Sequence, residues 1–530
     1  MSAALPVAGT SASARDPADR PAFPEPHRGV KRFADYAGAE LRAKCEVLVV
    51  GSGPGGAVAA KELAEAGRDV ILLEEGPPFG PTDFVQEAAE AMQRMLREGG
   101  TRAARGASFI PTMQAIALGG GSLVNSAICA RAPEWTLRKW SEKSGTSFTR
   151  AELDPHYERV ERFLWAEPTP TEVQGDRNLL FKRGCDALGL SSEPTFRNAR
   201  GCKGSGECFT GCRNGAKQST DVSYVPAAIQ AGARVFTSVR AEQVTLSGRR
   251  ATGVRGHVIE PFTWREAQPV EIEASCVVLA AGCLATPILL HRSRLGSRWV
   301  GRDLQLHPGL AIMGVFPDVV DPWKGATQGY HSLHFLDEGI KLEVLWSPVS
   351  VLAARMPGLG HDYQKHLLDY RRMAPFDVIV AAERSSGTVR PRGSGWDPDI
   401  EFRWAQEDVD QIQRGIGILS DICWAAGATH ILPGLHGIPE ILRSKEEAEI
   451  IRTKKLRGTD TVAAANHAFG TTRMSSRPED GVVDERGRCH DTDNLYVVDT
   501  GIFPGSPAVN PMLTCMALSD RIARGIAAAW

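Results

Sequence analysis

Residues 45–76 read CEVLVVGSGPGGAVAAKELAEAGRDVILLEEG and carry the clearest structural signal in the chain. Two short apolar runs flank a segment of strong helix formers, a pattern that predicts strand, helix and strand. Gly51, Gly53 and Gly56 form a G-x-G-x-x-G turn between the first strand and the helix. In such a unit the first glycine permits the tight turn, the second lets the backbone approach a pyrophosphate, and the third lets the helix pack on the strand. The stretch therefore predicts a nucleotide-binding βαβ unit.

Glu74 ends the second apolar run, 23 residues after Gly51. An acid at this distance can accept hydrogen bonds from an adenosine ribose, while the helix N-terminus faces the negative charge of the phosphates. The combination predicts a bound dinucleotide; the alternative is a glycine turn that only packs. FAD and NAD share this motif, so the stretch alone does not distinguish them.

The overall composition favours an ordinary globular protein. The chain has 530 residues, enough for two or three domains, with 42% hydrophobic and 23% charged residues. Its net charge of −2 predicts neither nucleic acid nor an anionic membrane as partner. No apolar run reaches the roughly 18 residues of a membrane span. The first residues lack a charged segment followed by an apolar one, so we expect no secretory signal and a cytoplasmic protein.

The order of the segments predicts an α/β fold, α+β overall, with one domain inserted into another. From about 308 to 460 the apolar runs read as strands of a separate sheet, whereas a short strand and an apolar helix close the chain. A nucleotide domain that starts near residue 40 and closes near residue 530 must be built from separated segments. We expect an N-terminal arm at 1–40, a discontinuous nucleotide domain at 41–150, 225–308 and 460–530, and a substrate-binding cap at 151–224 and 309–459.

Four separated motifs resemble the glucose–methanol–choline (GMC) oxidoreductase family of FAD enzymes. They occur in the family's order from about residue 45 to the end of the chain. Residues 201–228 look most like the long-chain alcohol oxidase branch and its bacterial relatives. The motifs are GSGPGG with Glu74, LGGGSLVN at 118–125, GCLATPILL with GRDLQLHP between 282 and 308, and HAFGTTRM with NLYVVDTGIFPGSPAVNPMLT between 467 and 514.

The resemblance implies FAD as cofactor, held by a Rossmann-like domain with an inserted antiparallel-sheet substrate domain. Some relatives tether FAD through a histidine just before the asparagine of the second motif; this chain has Val124 there, which predicts non-covalent FAD. Asp499 has a helix N-cap as its alternative role. The implied cofactor contacts are Gly51, Gly53, Gly56, Glu74, Gly120, Ser122, Asn125, Val239, Asp499 and Gly501.

The same resemblance implies oxidation of an alcohol to an aldehyde or ketone by hydride transfer to the flavin. His467 is the candidate base, because a histidine can accept the hydroxyl proton. Asn510, 43 residues later, would orient the substrate oxygen. His307 is interpreted as a packing or turn residue. The alcohol, and whether O2, a quinone or a cytochrome accepts the electrons, stay open; the branch favours an apolar alcohol.

Three clustered cysteines, Cys202, Cys208 and Cys212, have the spacing C-x5-C-x3-C, which matches no usual zinc site. The spacing is similar to that of cytochrome-linked GMC dehydrogenase subunits that carry an iron–sulfur cluster. We interpret the three residues as thiols packed under a glycine-rich loop and expect no metal site; an iron–sulfur cluster and a disulfide are the alternatives.

Two further alternatives concern the whole chain. One is a non-redox relative on the same scaffold, such as a hydroxynitrile lyase or a light-driven fatty-acid decarboxylase. The other is a binding module that keeps FAD for structural reasons. Bleaching of the flavin by an alcohol would separate the redox enzyme from both.

Overall fold

The computed structural model describes residues 27–36, 38–353, 356–393 and 395–529. Most of the arm expected at 1–40 lies outside these described residues. Within the described ranges, no helix has the length and apolar character that crossing a bilayer requires.

An eight-stranded nucleotide sheet forms the larger core. Its central strand, Glu266–Leu279, has Leu41–Val50 along one side and two shorter neighbours along the other. One of these, Arg250–Ile259, pairs antiparallel with its first half, and Leu495–Val497 pairs parallel with its last residues. The strand thus joins distant parts of the chain, and the predicted α/β fold is confirmed. The other strands are Val70–Leu73, Arg234–Phe236, Val30–Lys31 and Val239–Ser247.

The helix after the glycine turn, Pro54–Glu65, is apolar and small along most of its length, so it is almost entirely buried. It packs against the last helix, Met512–Ala529. The helix Arg150–Leu164 also packs on Met512–Ala529, and its Tyr157 belongs to the same core. The boundary predicted at residue 151 therefore places this helix on the wrong side: its apolar face is buried by the nucleotide domain, not by the cap.

A six-stranded antiparallel cap sheet forms the second core. Alternation sorts its side chains: in Ile340–Val344, the apolar positions 340, 342 and 344 face the core. The helices Asp176–Ala187 and Gln406–Ala425 cover that face. The strands, in order across the sheet, are His430–Leu432, Gly309–Val315, Met373–Val380, Ile340–Val344, Tyr330–Ser332 and Glu193–Pro194.

Two expectations for the inserted region are wrong in detail. The apolar runs between 308 and 460 are not all strands: the run that begins KLEV at residue 341 is a strand only to Val344 and becomes helix at Val349–Ala353, because Pro348 has no N–H for a sheet and suits a helix start. Two further strands pair outside the cap, in a four-stranded antiparallel sheet with Arg302–Leu306. The strands of this sheet are Pro398–Arg403, Ser386–Pro391, Arg302–Leu306 and Ala468–Phe469.

Shorter elements complete the described chain. The further α-helices are Ala88–Met95, Gly121–Val124, Glu134–Ser144, Tyr224–Gln230, Thr286–Arg292, Gly360–Leu368, Lys445–Ala448 and Ile450–Thr453. The 3-10 helices are Phe33–Tyr36, Arg97–Gly100, Thr171–Val173, Leu336–Glu338, Tyr370–Arg372, Gly458–Asp460 and Thr500–Ile502. The remaining strands are Ala103–Ala104, Ile110–Pro111, Glu167–Pro168 and Phe196–Arg197.

Candidate active site

The glycine turn has the geometry that its spacing predicts. Gly51 has φ +104°, and a Cβ there would lie 2.2 Å from the carbonyl oxygen of Ala280. A Cβ at Gly56 would lie 1.8 Å from the carbonyl oxygen of Gly51, so the helix can approach the strand only at a glycine. At Gly53 the nearest atom, the Cα of Gly120, is 3.9 Å from such a Cβ. Gly53 therefore borders open space, as the approach of a pyrophosphate requires.

Ser52, which the sequence motif leaves unspecified, links the turn to Glu74. The buried Glu74 carboxylate accepts hydrogen bonds from Ser52 N (3.0 Å), Ser52 Oγ (2.6 Å) and Gly76 N (2.8 Å). Burial raises the pKa of Glu74, and these bonds oppose that rise. A carboxylate has about four acceptor positions, so one is left for a ribose hydroxyl. Val239 lies beside this acid and donates its N–H to the carbonyl oxygen of Glu74 (2.9 Å).

The second motif lies directly on the first. Gly119 donates its N–H to Ser52 Oγ (2.9 Å), and Gly120 adopts φ +51° with room for no side chain, since a Cβ would lie 2.8 Å from the Cα of Gly53. Ser122 is buried, and its hydroxyl bonds to Thr220 Oγ1 (3.0 Å). Ser122 therefore holds the loop in place. The sequence contained a signal that could have identified Ser52: it is a hydroxyl residue between Gly51 and Gly53, and an acid, Glu74, ends the next predicted strand.

Asn125 follows the same loop, and its amide is held locally. Its Oδ1 accepts a hydrogen bond from the N–H of Ala127 (3.0 Å), and its Nδ2 lies 2.9 Å from the sulfur of Met512. Val124, beside it, is a buried aliphatic residue and offers no nucleophile to a flavin.

Asp499 joins the third and fourth motifs. Its buried carboxylate accepts hydrogen bonds from Gly282 N (3.0 Å), Thr286 Oγ1 (2.5 Å) and Gly501 N (2.8 Å). It caps the 3-10 helix Thr500–Ile502, which was its alternative role, and burial raises its pKa. The N–H of Gly501, one of the implied cofactor contacts, is thus already bonded to Asp499. Packing also favours glycine at 501, because a Cβ would lie 2.4 Å from Thr472 Oγ1, and its contact with the cofactor stays a prediction.

His467 directly precedes the strand Ala468–Phe469 of the four-stranded sheet and lies next to a second histidine. Its Nδ1 is 3.3 Å from Nδ1 of His307, whose Nε2 is 2.7 Å from Ser506 Oγ. His307 is buried, as its expected packing role requires. It also contacts the candidate base directly, which that expectation did not include. His467 keeps part of its surface accessible, yet desolvation lowers its pKa to about 4, with Glu343 opposing and Lys341 reinforcing the fall.

Asn510 is buried in a polar cluster that reaches the cap. Its Oδ1 accepts a hydrogen bond from Lys341 Nζ (2.6 Å), and Lys341 forms an ion pair with Glu343. The Glu343 carboxylate also accepts a hydrogen bond from Gln328 Nε2 (2.5 Å). Lys341 and Glu343 both act on the pKa of His467, so the charges beside Asn510 also reach the candidate base. The sequence did not point to Lys341 or Glu343.

The three clustered cysteines line one small cavity together with Arg197 and Lys217. All three are free thiols, and their sulfurs do not come within 4.8 Å of one another as a set, so they do not enclose a single ion. Arg197 Nη2 lies 2.9 Å from the sulfur of Cys208. Burial alone would raise the pKa of Cys208, but the charges of Arg197 and Lys217 outweigh it and lower that pKa. Packed thiols without a metal stay the prediction for Cys202, Cys208 and Cys212, and an iron–sulfur cluster stays the alternative.

Comparison with protein families agrees with this geometry. The models for the two parts of the GMC oxidoreductase family match residues 92–309 and 383–519, and the model for an FAD binding domain matches 44–97. The last range contains the glycine turn and Glu74.

Curated relatives extend the match along the chain. An uncharacterised GMC-type oxidoreductase of Sinorhizobium fredii is 31% identical over 92% of this chain and 95% of its own length. A long-chain-alcohol oxidase of Arabidopsis thaliana is 29% identical over 94% of this chain and 70% of its own length. The chain belongs to the GMC oxidoreductase family, and it is an FAD-binding oxidoreductase.

Solved structures share the fold at low identity. Pyridoxine 4-oxidase from Mesorbium loti superposes with a TM-score of 0.70 at 18% identity, covering 91% of this chain and 99% of its own. A variant of formate oxidase from Aspergillus oryzae gives a TM-score of 0.69 at 16% identity, covering 93% and 99%. These similarities establish the Rossmann-type fold with its inserted cap.

The residues present fit FAD. Gly53 and Gly120 leave side-chain-free backbone beside the N-terminus of Pro54–Glu65, where a pyrophosphate is favoured. Glu74 retains an acceptor position close to that turn. When bound, FAD supplies the acceptor for a hydride.

Proposed function

We propose that the protein oxidises an alcohol to an aldehyde or ketone, with His467 taking the hydroxyl proton and Asn510 orienting the oxygen. The supporting observation is that Lys341, which donates a hydrogen bond to Asn510, also acts electrostatically on His467. A histidine whose pKa is lowered to about 4 is neutral near pH 7 and has a lone pair to accept a proton. An amide can donate a hydrogen bond to the developing negative oxygen without competing for that proton.

His307 and Ser506 support one tautomer of the base. If His307 Nε2–H donates to Ser506 Oγ, its Nδ1 is an acceptor and can receive the Nδ1–H of His467. The Nε2 of His467 then carries the lone pair for the substrate proton. Ser506 is itself held by Trp140, whose Nε1 donates to the Ser506 carbonyl oxygen (3.1 Å).

A long-chain primary alcohol is the first substrate to test, because similar proteins from Arabidopsis thaliana are named long-chain-alcohol oxidases. Under anaerobic conditions such an alcohol is expected to bleach the flavin band at about 450 nm. Shorter, aryl and sterol alcohols serve as the comparison panel, with O2 and an artificial acceptor as alternative oxidants. A flavin that no alcohol reduces, in a protein that cleaves a cyanohydrin or acts only under blue light, would refute the proposal.

The FAD is proposed to be non-covalent, since Val124 provides no nucleophile at the position where some family members have a histidine. Acid precipitation of the holoenzyme is therefore expected to release the flavin into the supernatant, where its absorbance is measured. A yellow pellet after washing in denaturant would show a covalent bond elsewhere in the site.

A further inference from the structure

Lys341 is a charged side chain with no solvent exposure, on the cap strand Ile340–Val344. Its Nζ donates to Asn510 Oδ1 at 2.6 Å and also contacts Glu343. A buried ammonium is costly unless it is paired and hydrogen-bonded, and here both conditions are met. The ammonium therefore lies within the site that holds Asn510.

The strand alternation explains how a charged pair enters this site. Residues 340, 342 and 344 face the apolar core of the cap, so residues 341 and 343 project from the opposite face. Burial alone would raise the pKa of Glu343, but Lys341, together with His467 and the Gln328 hydrogen bond, lowers that pKa, which keeps the carboxylate charged. The Lys341–Glu343 pair has no net charge. Lys341 contacts Asn510, the residue proposed to bind the substrate oxygen.

The chemistry of the contact fixes the orientation of the Asn510 amide. An ammonium has three donors and no acceptor, so the amide atom facing Lys341 must be its oxygen. The Asn510 Nδ2 donors are consequently turned away from Lys341. We propose that Lys341, with Glu343 as its counter-charge, is a positioning residue that locks Asn510 with its N–H donors available to the substrate oxygen. This rests on the proposed function of Asn510.

The test is a double-mutant cycle of Lys341→Met and Asn510→Ala, assayed by steady-state kinetics with the alcohol that reduces the wild-type flavin. Removing a donor to a developing oxyanion costs about 10²- to 10³-fold in kcat, so loss of its orientation alone is expected to cost about 10- to 100-fold, with KM little changed. In the Asn510→Ala background, Lys341→Met is expected to cost almost nothing further. A full additional loss in that background would overturn the inference.

Lys341→Met leaves the Glu343 carboxylate buried without its cation, so folding is tested separately. The variant Lys341→Met/Glu343→Gln removes both charges and should melt at a higher temperature than Lys341→Met, while keeping its low kcat. Lys365→Met, at a surface lysine paired with Asp362, is the matched control and should keep wild-type kcat. Recovery of wild-type kcat in the neutral double variant would show that Lys341 only stabilises the fold.

One measurement does not depend on turnover. If no alcohol reduces the wild-type flavin, the proposed function fails, and crystals of Lys341→Met/Glu343→Gln still report on the amide. An Asn510 side chain that rotates or becomes mobile supports the positioning role. An amide that stays in its wild-type orientation overturns it.

Discussion

Replacement of His467 by alanine is expected to lower kcat by about 1000-fold while FAD stays bound. General base catalysis contributes roughly 10²- to 10⁴-fold, and His467 is the partly accessible member of the His307–His467 pair. Its bonds run to His307 and not to the glycine turn or Glu74, so the nucleotide site should be unaffected. Turnover and the flavin-to-protein ratio of the purified variant measure the two halves of this expectation.

Two further variants sharpen the assignment. His436→Ala changes an exposed histidine and should retain wild-type kcat. His307→Ala removes the partner of His467 Nδ1 and is expected to have a smaller effect than His467→Ala, because the base itself remains. If His467→Ala kept turnover and His307→Ala lost it, His307 would be the base and His467 the residue that supports it.

The protonation state gives a second readout for the base. Burial lowers the pKa of His467 to about 4, so the imidazole is neutral above that pH and becomes protonated, and inactive as a base, below it. The acid limb of kcat/KM is therefore expected well below the ordinary histidine pKa of about 6.5. A limb at or above 6.5 would indicate a base in a more solvated or more anionic environment.

The nucleotide-binding part of the site could be predicted from the sequence because its constraints are local. Gly56 and Glu74 make their contacts within one βαβ unit, and the positive φ of Gly51 belongs to the turn of the same unit. The contacts between separate motifs could be predicted only from the resemblance to the GMC family. Asp499, for example, contacts residues 217 and 213 positions away along the chain.

The cap's contribution could not be predicted, for a physical reason. The run IKLEV alternates apolar and charged residues, which ordinarily indicates a strand with one face in water. Lys341 and Glu343 are buried only because the other domain covers that face and Asn510 meets it there. The packing of two domains against each other leaves no pattern in the local sequence. The contact between His307 and His467, which are 160 residues apart, leaves none either.

Alanine at Gly56 is expected to prevent stable folding, whereas alanine at Gly53 should spare the fold and weaken FAD binding. At Gly56 the new Cβ would lie 1.8 Å from the Gly51 carbonyl oxygen, so the helix Pro54–Glu65 must move off its strand. Overpacking of this kind typically costs about 1–3 kcal/mol and more against rigid backbone, compared with a total stability of about 5–15 kcal/mol. We expect little folded protein and no bound flavin.

Gly53 has an ordinary φ of −64°, and its Cβ would enter the open space next to Gly120. The apoprotein should therefore melt near the wild-type temperature, while the methyl group occupies space that the pyrophosphate needs and lowers FAD affinity by about 10-fold or more. Gly525→Ala, in a helix with nothing near the new Cβ, is the matched control and should be neutral or slightly stabilising. Wild-type FAD affinity in Gly53→Ala would place the pyrophosphate away from this turn, and a wild-type melting temperature in Gly56→Ala would contradict the close helix–strand contact.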